Sequence, residues 1–97
     1  MSKYKVRVLI KARKEVFDAF DWYEEQQEGL GDKFSEEIQI SINKIQLNPN
    51  HHPLKTISLR EFVVKKYPFV IVYKISERRE EIIITSIFHT KRNPKLK

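Results

Sequence analysis

The chain has 97 residues, 40% of them hydrophobic, and no cysteine, which fits one compact domain, residues 1–97, around one core. Without thiols there are no disulfides, thiolate nucleophiles or sulfur-ligated zinc, and no segment approaches the roughly 18 apolar residues of a membrane span, so a cytoplasmic protein is expected. The net charge of +6 is uneven: residues 1–50 carry 8 cations and 9 anions, residues 51–97 carry 11 and 4, an asymmetry that suits a polyanion or an acidic partner protein.

Residues 4–10, YKVRVLI, alternate with period two, which predicts a half-buried strand. From Arg13 to Glu28 the period becomes helical, with Val16, Phe17, Phe20 and Tyr23 as the apolar stripe and Asp18, Asp21, Glu24 and Glu25 largely off it. Glu15 and Asp18 near the start of this helix suit the positive end of its dipole, and Gly29 is a natural left-handed stop. Asp32 is the expected cap of a second helix. Its stripe is Phe34, Ile38, Ile42 and Ile45, widened by Ile40 and Leu47, and it ends at Asn48-Pro49. A connection as short as Gly29–Gly31 makes the two helices antiparallel neighbours.

Beyond the loop NPNHHP, the segments TISL, REFVVKK, FVIVYKI and EIIITSIF are rich in β-branched and aromatic residues and fit three strands. Tyr67-Pro68 separates the first from the second, and the polar turn Ser76–Glu80 precedes the third. FVIVY is apolar on both faces and should be central. A strand, two antiparallel helices and a further strand leave that second strand running opposite to the first. The expected fold is therefore α+β, a small antiparallel sheet packed on one face by a helical hairpin, in the order β-α-α-β-β-β.

Four stretches, DWYEEQQEGLGDKF (21–34), IQLNP (45–49), LREFVVKKYPFVIVYKI (59–75) and IIITSIFHTKRNP (82–94), resemble the RelE/ParE superfamily of bacterial type II toxins in order and spacing. The combination of a G-L-G helical hairpin, K-x-P-F-x-I-x-Y and a terminal H-x-x-R-x-P carries the resemblance, which covers nearly the whole chain. It implies a strand, two helices and three strands, the order that periodicity gives independently. It also implies a toxin held inactive by an antitoxin, expected to be acidic and partly disordered; no cofactor is expected, and with no H-x-x-x-H spacing or carboxylate cluster beside the histidines no metal site is expected either. RelE-like members cut messenger RNA on the ribosome, whereas ParE-like members poison DNA gyrase.

Metal-free RNA cleavage requires a base, an acid and cations around the phosphorane. For an endoribonuclease, the candidate set is His89, Arg92 and Arg60, with Lys91 close by. RNA-cleaving members place an arginine just before the apolar core of the central strand. Val70 occupies that position here, and the K-x-P-F-x-I-x-Y form is similar to ParE-like and plasmid-stabilisation members. Leu96 stands where many relatives have an aromatic residue. The expected function is that of a ParE-like toxin binding a nucleic-acid-processing target, DNA gyrase, through Arg60, Lys65, Lys66, Lys91, Arg92 and Lys95, on one shared face. The alternatives are a ribosome-dependent endoribonuclease and an inactive homologue that only binds its antitoxin. Against these stand plainer roles. Alternation from Ile83, Thr85 and Ile87 puts His89 on their face, as a sheet-capping hydrogen-bonding residue. Arg60 pairs with Glu61 or another acid, Lys65 and Lys66 guard a strand end, and Trp22 and Tyr23 pack. His51 and His52 are assigned no role.

Overall fold

The computed structural model describes residues 3–91. Arg92, Lys95 and Leu96 lie outside the described residues. The elements are β1 (Lys5–Val8), α1 (Ile10–Gln26), α2 (Leu30–Leu47), β2 (Arg60–Val63), β3 (Phe69–Ser76) and β4 (Glu81–His89), the expected order of an α+β fold. No helix among the described residues is long and apolar enough to cross a membrane.

Helix α1 starts at Ile10 rather than Arg13, because the chain stays extended only through Leu9. Ile10, which period-two counting assigns to the strand, is 74% exposed on the first helical turn. The buried stripe of α1 is Ala12, Val16, Ala19 and Tyr23, at helical spacing, while Phe17 is 69% exposed. The early start also moves Glu15 out of the first turn, where no acid remains. In α2 the stripe Phe34, Ile38 and Ile45 is buried and Ile42 packs against it. Ile40 and Leu47 do not widen it, both being exposed.

The turn of the hairpin is built around Glu24. Gly29 has φ +87°, a conformation open to glycine because it lacks a Cβ. This turns the N–H groups of Gly29 and Gly31 back to α1, where each donates to one carboxylate oxygen of Glu24 at 2.9 Å. Asp32 makes no capping bond and lies in the first turn of α2, so Glu24 does the work expected of it. A Cβ on Gly31 would lie 2.8 Å from Glu24 Oε1 and 2.9 Å from the Phe20 ring, so α2 approaches α1 closely here.

The sheet order is β1-β4-β3-β2. β3 is antiparallel to both β2 and β4, as expected, but β1 joins β4 in parallel, so the sheet is mixed. It follows that β2 runs in the same direction as β1, not opposite to it. The reversal comes from the connection 48–59, which returns along the sheet before β2 begins instead of turning tightly. Tyr73 pins it by donating its hydroxyl to Pro49 O at 2.6 Å, and Glu61 N–H pins it by bonding Pro53 O at 3.0 Å. TISL (56–59) forms no strand; only an isolated bridge joins Leu54 to Arg60.

A bulge in β4 alters the parity on which the fold's face assignments rest. Tyr73 pairs with Ile84 and Val72 with Ser86, leaving Thr85 as the extra residue, its hydroxyl donating to Val72 O at 3.2 Å. Ile82, Ile84 and Ile87 therefore share the helix-facing core. Val70, Val72 and Phe88 form a second cluster on the opposite face, beneath Leu59.

Replacing Glu24 by alanine frees two N–H groups at the hairpin turn and is expected to lower stability by about 1–2 kcal/mol. Glu25→Ala, an exposed neighbour, should stay within about 0.5 kcal/mol; urea unfolding of both variants checks this.

Candidate functional site

His89 ends β4 opposite Phe69, and its ring stands edge-on to Phe69 with centroids 5.2 Å apart. Because of the bulge it shares the helix-facing side with Ile87, not with Ile83. Its Nδ1 accepts from Lys91 N–H at 3.1 Å; a neutral imidazole bound in this way carries its proton on Nε2. Lys65 and Lys66 belong to the turn from β2 to β3, and Lys66 holds φ 73° in the left-handed region. Thr90 N–H donates to Pro68 O at 2.9 Å, which brings Lys91 to the same end of the sheet as Lys65 and Lys66.

Among the described residues, no lysine or arginine lines the cleft beside His89. It has a volume of about 260 Å³ and is lined by Glu15, Asp18, Phe69, Phe88 and His89 among others. Glu15 is there because β1 ends at Val8, leaving the edge of β4 away from β3 uncovered beyond Ile84. The Glu15 carboxylate takes that strand's place, accepting from Ile87 N–H at 2.9 Å and from the Ser86 hydroxyl at 3.0 Å. Lys11 Nζ lies 3.7 Å from the same carboxylate. A phosphate brought to His89 would meet Glu15 and Asp18, whose charges oppose it.

Arg60 does not join this group. It pairs with Tyr73, whereas His89 pairs with Phe69, so four residues of β3, about 13 Å, separate the two positions. Its guanidinium Nη1 donates to His52 O at 2.6 Å, binding it to the connection before β2. The expected single cationic face thus loses Arg60, and the proposed His89–Arg60 pair is not assembled. Glu61, its expected partner, pairs instead with Lys55, Nζ to Oε2 at 3.4 Å. Around Arg60 lie His52 and Tyr73. His52 Nε2 is buried without a hydrogen bond, and burial first, then His51 and Arg60, hold its pKa below the usual 6.5. Burial pushes the Tyr73 hydroxyl up to about 12.

A third feature escapes the sequence patterns. α1 and α2, close at the Gly31 turn, diverge to leave a groove of about 470 Å³. Phe17, Phe20, Ile38 and Ile42 line its walls, with Val8 and Ile87 from the sheet and Arg13 at α1. The one available signal was Phe17, an aromatic residue at the margin of the α1 stripe, which periodicity counts as core. Among the described residues, no cluster of three or more His, Asp or Glu could hold a metal ion.

The family model for the ParE toxin of the type II toxin–antitoxin system parDE matches residues 6–94. The chain belongs to the ParE toxin family. A chain of the chromosomal ParDE toxin–antitoxin system of P. aeruginosa is similar in fold, with TM-score 0.78 at 18% identity, over 90% of this chain and 96% of that one. A chain of the RelBE2 toxin–antitoxin complex of Mycobacterium tuberculosis is similar at TM-score 0.61 and 13% identity, over 89% and 96%. No curated protein sequence matches the chain. In this ParE-family toxin, Val70 is a packed residue of the helix-free face, 8% exposed, beside Val72 and Phe88.

The ParE-family fold here carries a pH dependence set by His52. Its folded pKa lies below the unfolded 6.5, so the unfolded chain takes up the proton first. The stability gained from a neutral His52 is complete above pH 6.5 and is lost as pH falls from there through the folded value. Urea midpoints measured at about pH 7.5 and about pH 5.5 should fall less in His52→Gln than in the wild type. Tyr73 acts in the opposite direction. Its raised pKa gives stability that is complete below 10 and is lost as pH rises toward about 12, and Tyr73→Phe should remove the last step of an ultraviolet tyrosine titration.

Proposed function

We propose that this toxin inhibits growth by binding DNA gyrase, breaking no bond itself, and that an antitoxin silences it by laying an apolar helical segment into the groove between α1 and α2. The observation that carries the first part is the setting of His89. It accepts a hydrogen bond from the backbone of Lys91, faces a cleft bearing two carboxylates, and has Arg60 tied to His52 O elsewhere. Among the described residues, which do not include Arg92, this arrangement lacks the cations that stabilise a phosphorane. The burial of Val70 points the same way, since the position at which RNA-cleaving relatives bind phosphate is filled by apolar packing.

Support for the second part comes from the groove and from the family. Both similar folds were determined from toxin–antitoxin systems. Phe17 offers a large apolar side chain, 69% exposed, at the groove's wall. Such a surface suits a segment with apolar residues at i, i+3/i+4 and i+7, and Arg13 supplies a charge for an acidic residue of the partner. Lys65, Lys66 and Lys91, at the far end of β3 from Arg60, remain as target contacts.

Induced expression of the wild type is expected to block gyrase supercoiling and accumulate double-strand breaks while transcripts stay whole, and His89→Ala should be equally toxic. Transcripts cut at codon-related positions, with the cuts lost in His89→Ala, would instead establish the ribosome-dependent nuclease. Unslowed growth would establish the inactive homologue. Phe17→Asp should keep its circular dichroism spectrum but lose antitoxin affinity by roughly 30-fold, the scale of a buried aromatic anchor, as titration calorimetry reads directly.

A further inference from the structure

The two layers of this fold carry opposite charge. The helical hairpin, residues 10–47, holds five cations and nine anions, whereas the sheet layer, residues 3–9 and 48–91, holds eleven cations and four anions. Three of those four anions, Glu61, Glu77 and Glu81, are already ion-paired with Lys55, Lys3 and Arg7. Lys65, Lys66, Lys74 and Lys91 are exposed and make no ion pair among the described residues.

From this division we infer that the toxin itself binds the phosphate backbone of duplex DNA through its sheet layer, with the acidic hairpin turned away. The inference goes beyond the gyrase proposal and does not depend on it. Lys74 and Arg7 both pair with Ile83 and so share the helix-free face; Lys65, Lys66 and Lys91 lie at the other end of the sheet. Five residues of β3 between Phe69 and Lys74 set the two rims about 17 Å apart, enough to straddle a groove about 12 Å wide. The cleft beside His89, with Glu15 and Asp18, takes no part.

A duplex fits this surface better than a single strand. Single strands are held by base stacking on exposed rings, and the exposed large apolar residues of the sheet layer are aliphatic: Leu54, Ile57 and Val63. Among the described residues, the large exposed aromatics Phe17 and Trp22 are both on α1, and the exposed imidazole of His51 lies in the connection before β2.

Fluorescence anisotropy with the full chain and a labelled duplex of about 20 base pairs tests the inference. Affinity should fall steeply with salt. The variant Lys65→Gln/Lys66→Asn/Lys91→Gln should weaken binding by at least ~10-fold and reduce the logarithmic salt slope by about 3. The charge-matched Lys14→Gln/Lys33→Gln/Lys44→Gln, in the helical layer, should stay within about twofold. No binding at about 50 mM salt, equal losses from the two variants, or tighter binding to single-stranded RNA of the same length would each overturn it. Failure of gyrase inhibition with duplex binding intact would overturn only the gyrase proposal.

Discussion

The pairing of β3 with β4, and the extra residue Thr85 within it, fixes which face of the sheet each side chain of the second half of β4 takes, His89 included. Both strands are interior to the sheet, so their side chains must satisfy two apolar layers at once. Before the bulge Ile82 and Ile84 face the helices; after it Ile87 and His89 do, and Phe88 turns to the helix-free side with Val70 and Val72. Had the ladder continued without a bulge, His89 would stand on the open face among the cations. Instead it rests on Phe69, beside the carboxylates of α1. Among the described residues, the setting of His89 is thus a consequence of strand register as much as of residue identity.

The short β1 has a comparable influence at the sheet's edge. Its four residues cover only Glu81–Ile84, and an uncovered strand edge exposes backbone donors. Glu15 resolves this by bringing a carboxylate from α1 to Ile87 N–H, a charge-assisted bond stronger than the ladder bond it replaces. Glu24 does the same at the hairpin turn, where it accepts from two N–H groups. Two acids of α1 are thereby used to hold the fold, one fastening the helix to the sheet and the other closing the hairpin. The helices are tight at the turn and open toward β1, which is why the groove lies between them where it does. The acids of both helices and of the turn between them give the helical layer its negative charge, while the sheet layer keeps the positive excess. A partner that fills the groove and one that touches the sheet's cations therefore approach different sides of the molecule.

Element identity was legible in the residues wherever a period was strong and a stop signal sharp. The buried α2 stripe, the left-handed Gly29 and the helix end before Asn48-Pro49 follow from local chemistry. Phe17 misled because hydrophobic spacing cannot tell a core stripe from the wall of a groove when the residue lies at the stripe's margin. Arg60 misled because sequence reveals that it opens a strand but not which end of its partner it meets. The direction of β2 was misjudged because the stretch from Asn48 to Leu59 was divided into the loop NPNHHP and a strand-forming TISL, whereas the whole connection returns along the sheet before β2 begins.

Composition and periodicity alone determined the α+β class, its order of helices and strands, a nearly neutral first half and a basic second half, because these depend on residues near one another in the chain. Tertiary structure decided the parallel entry of β1, the face of His89, the isolation of Arg60 and the groove between the helices. Each of those depends on register, on one inserted residue, or on the distance between packed elements, and none of these quantities is set by neighbours in sequence.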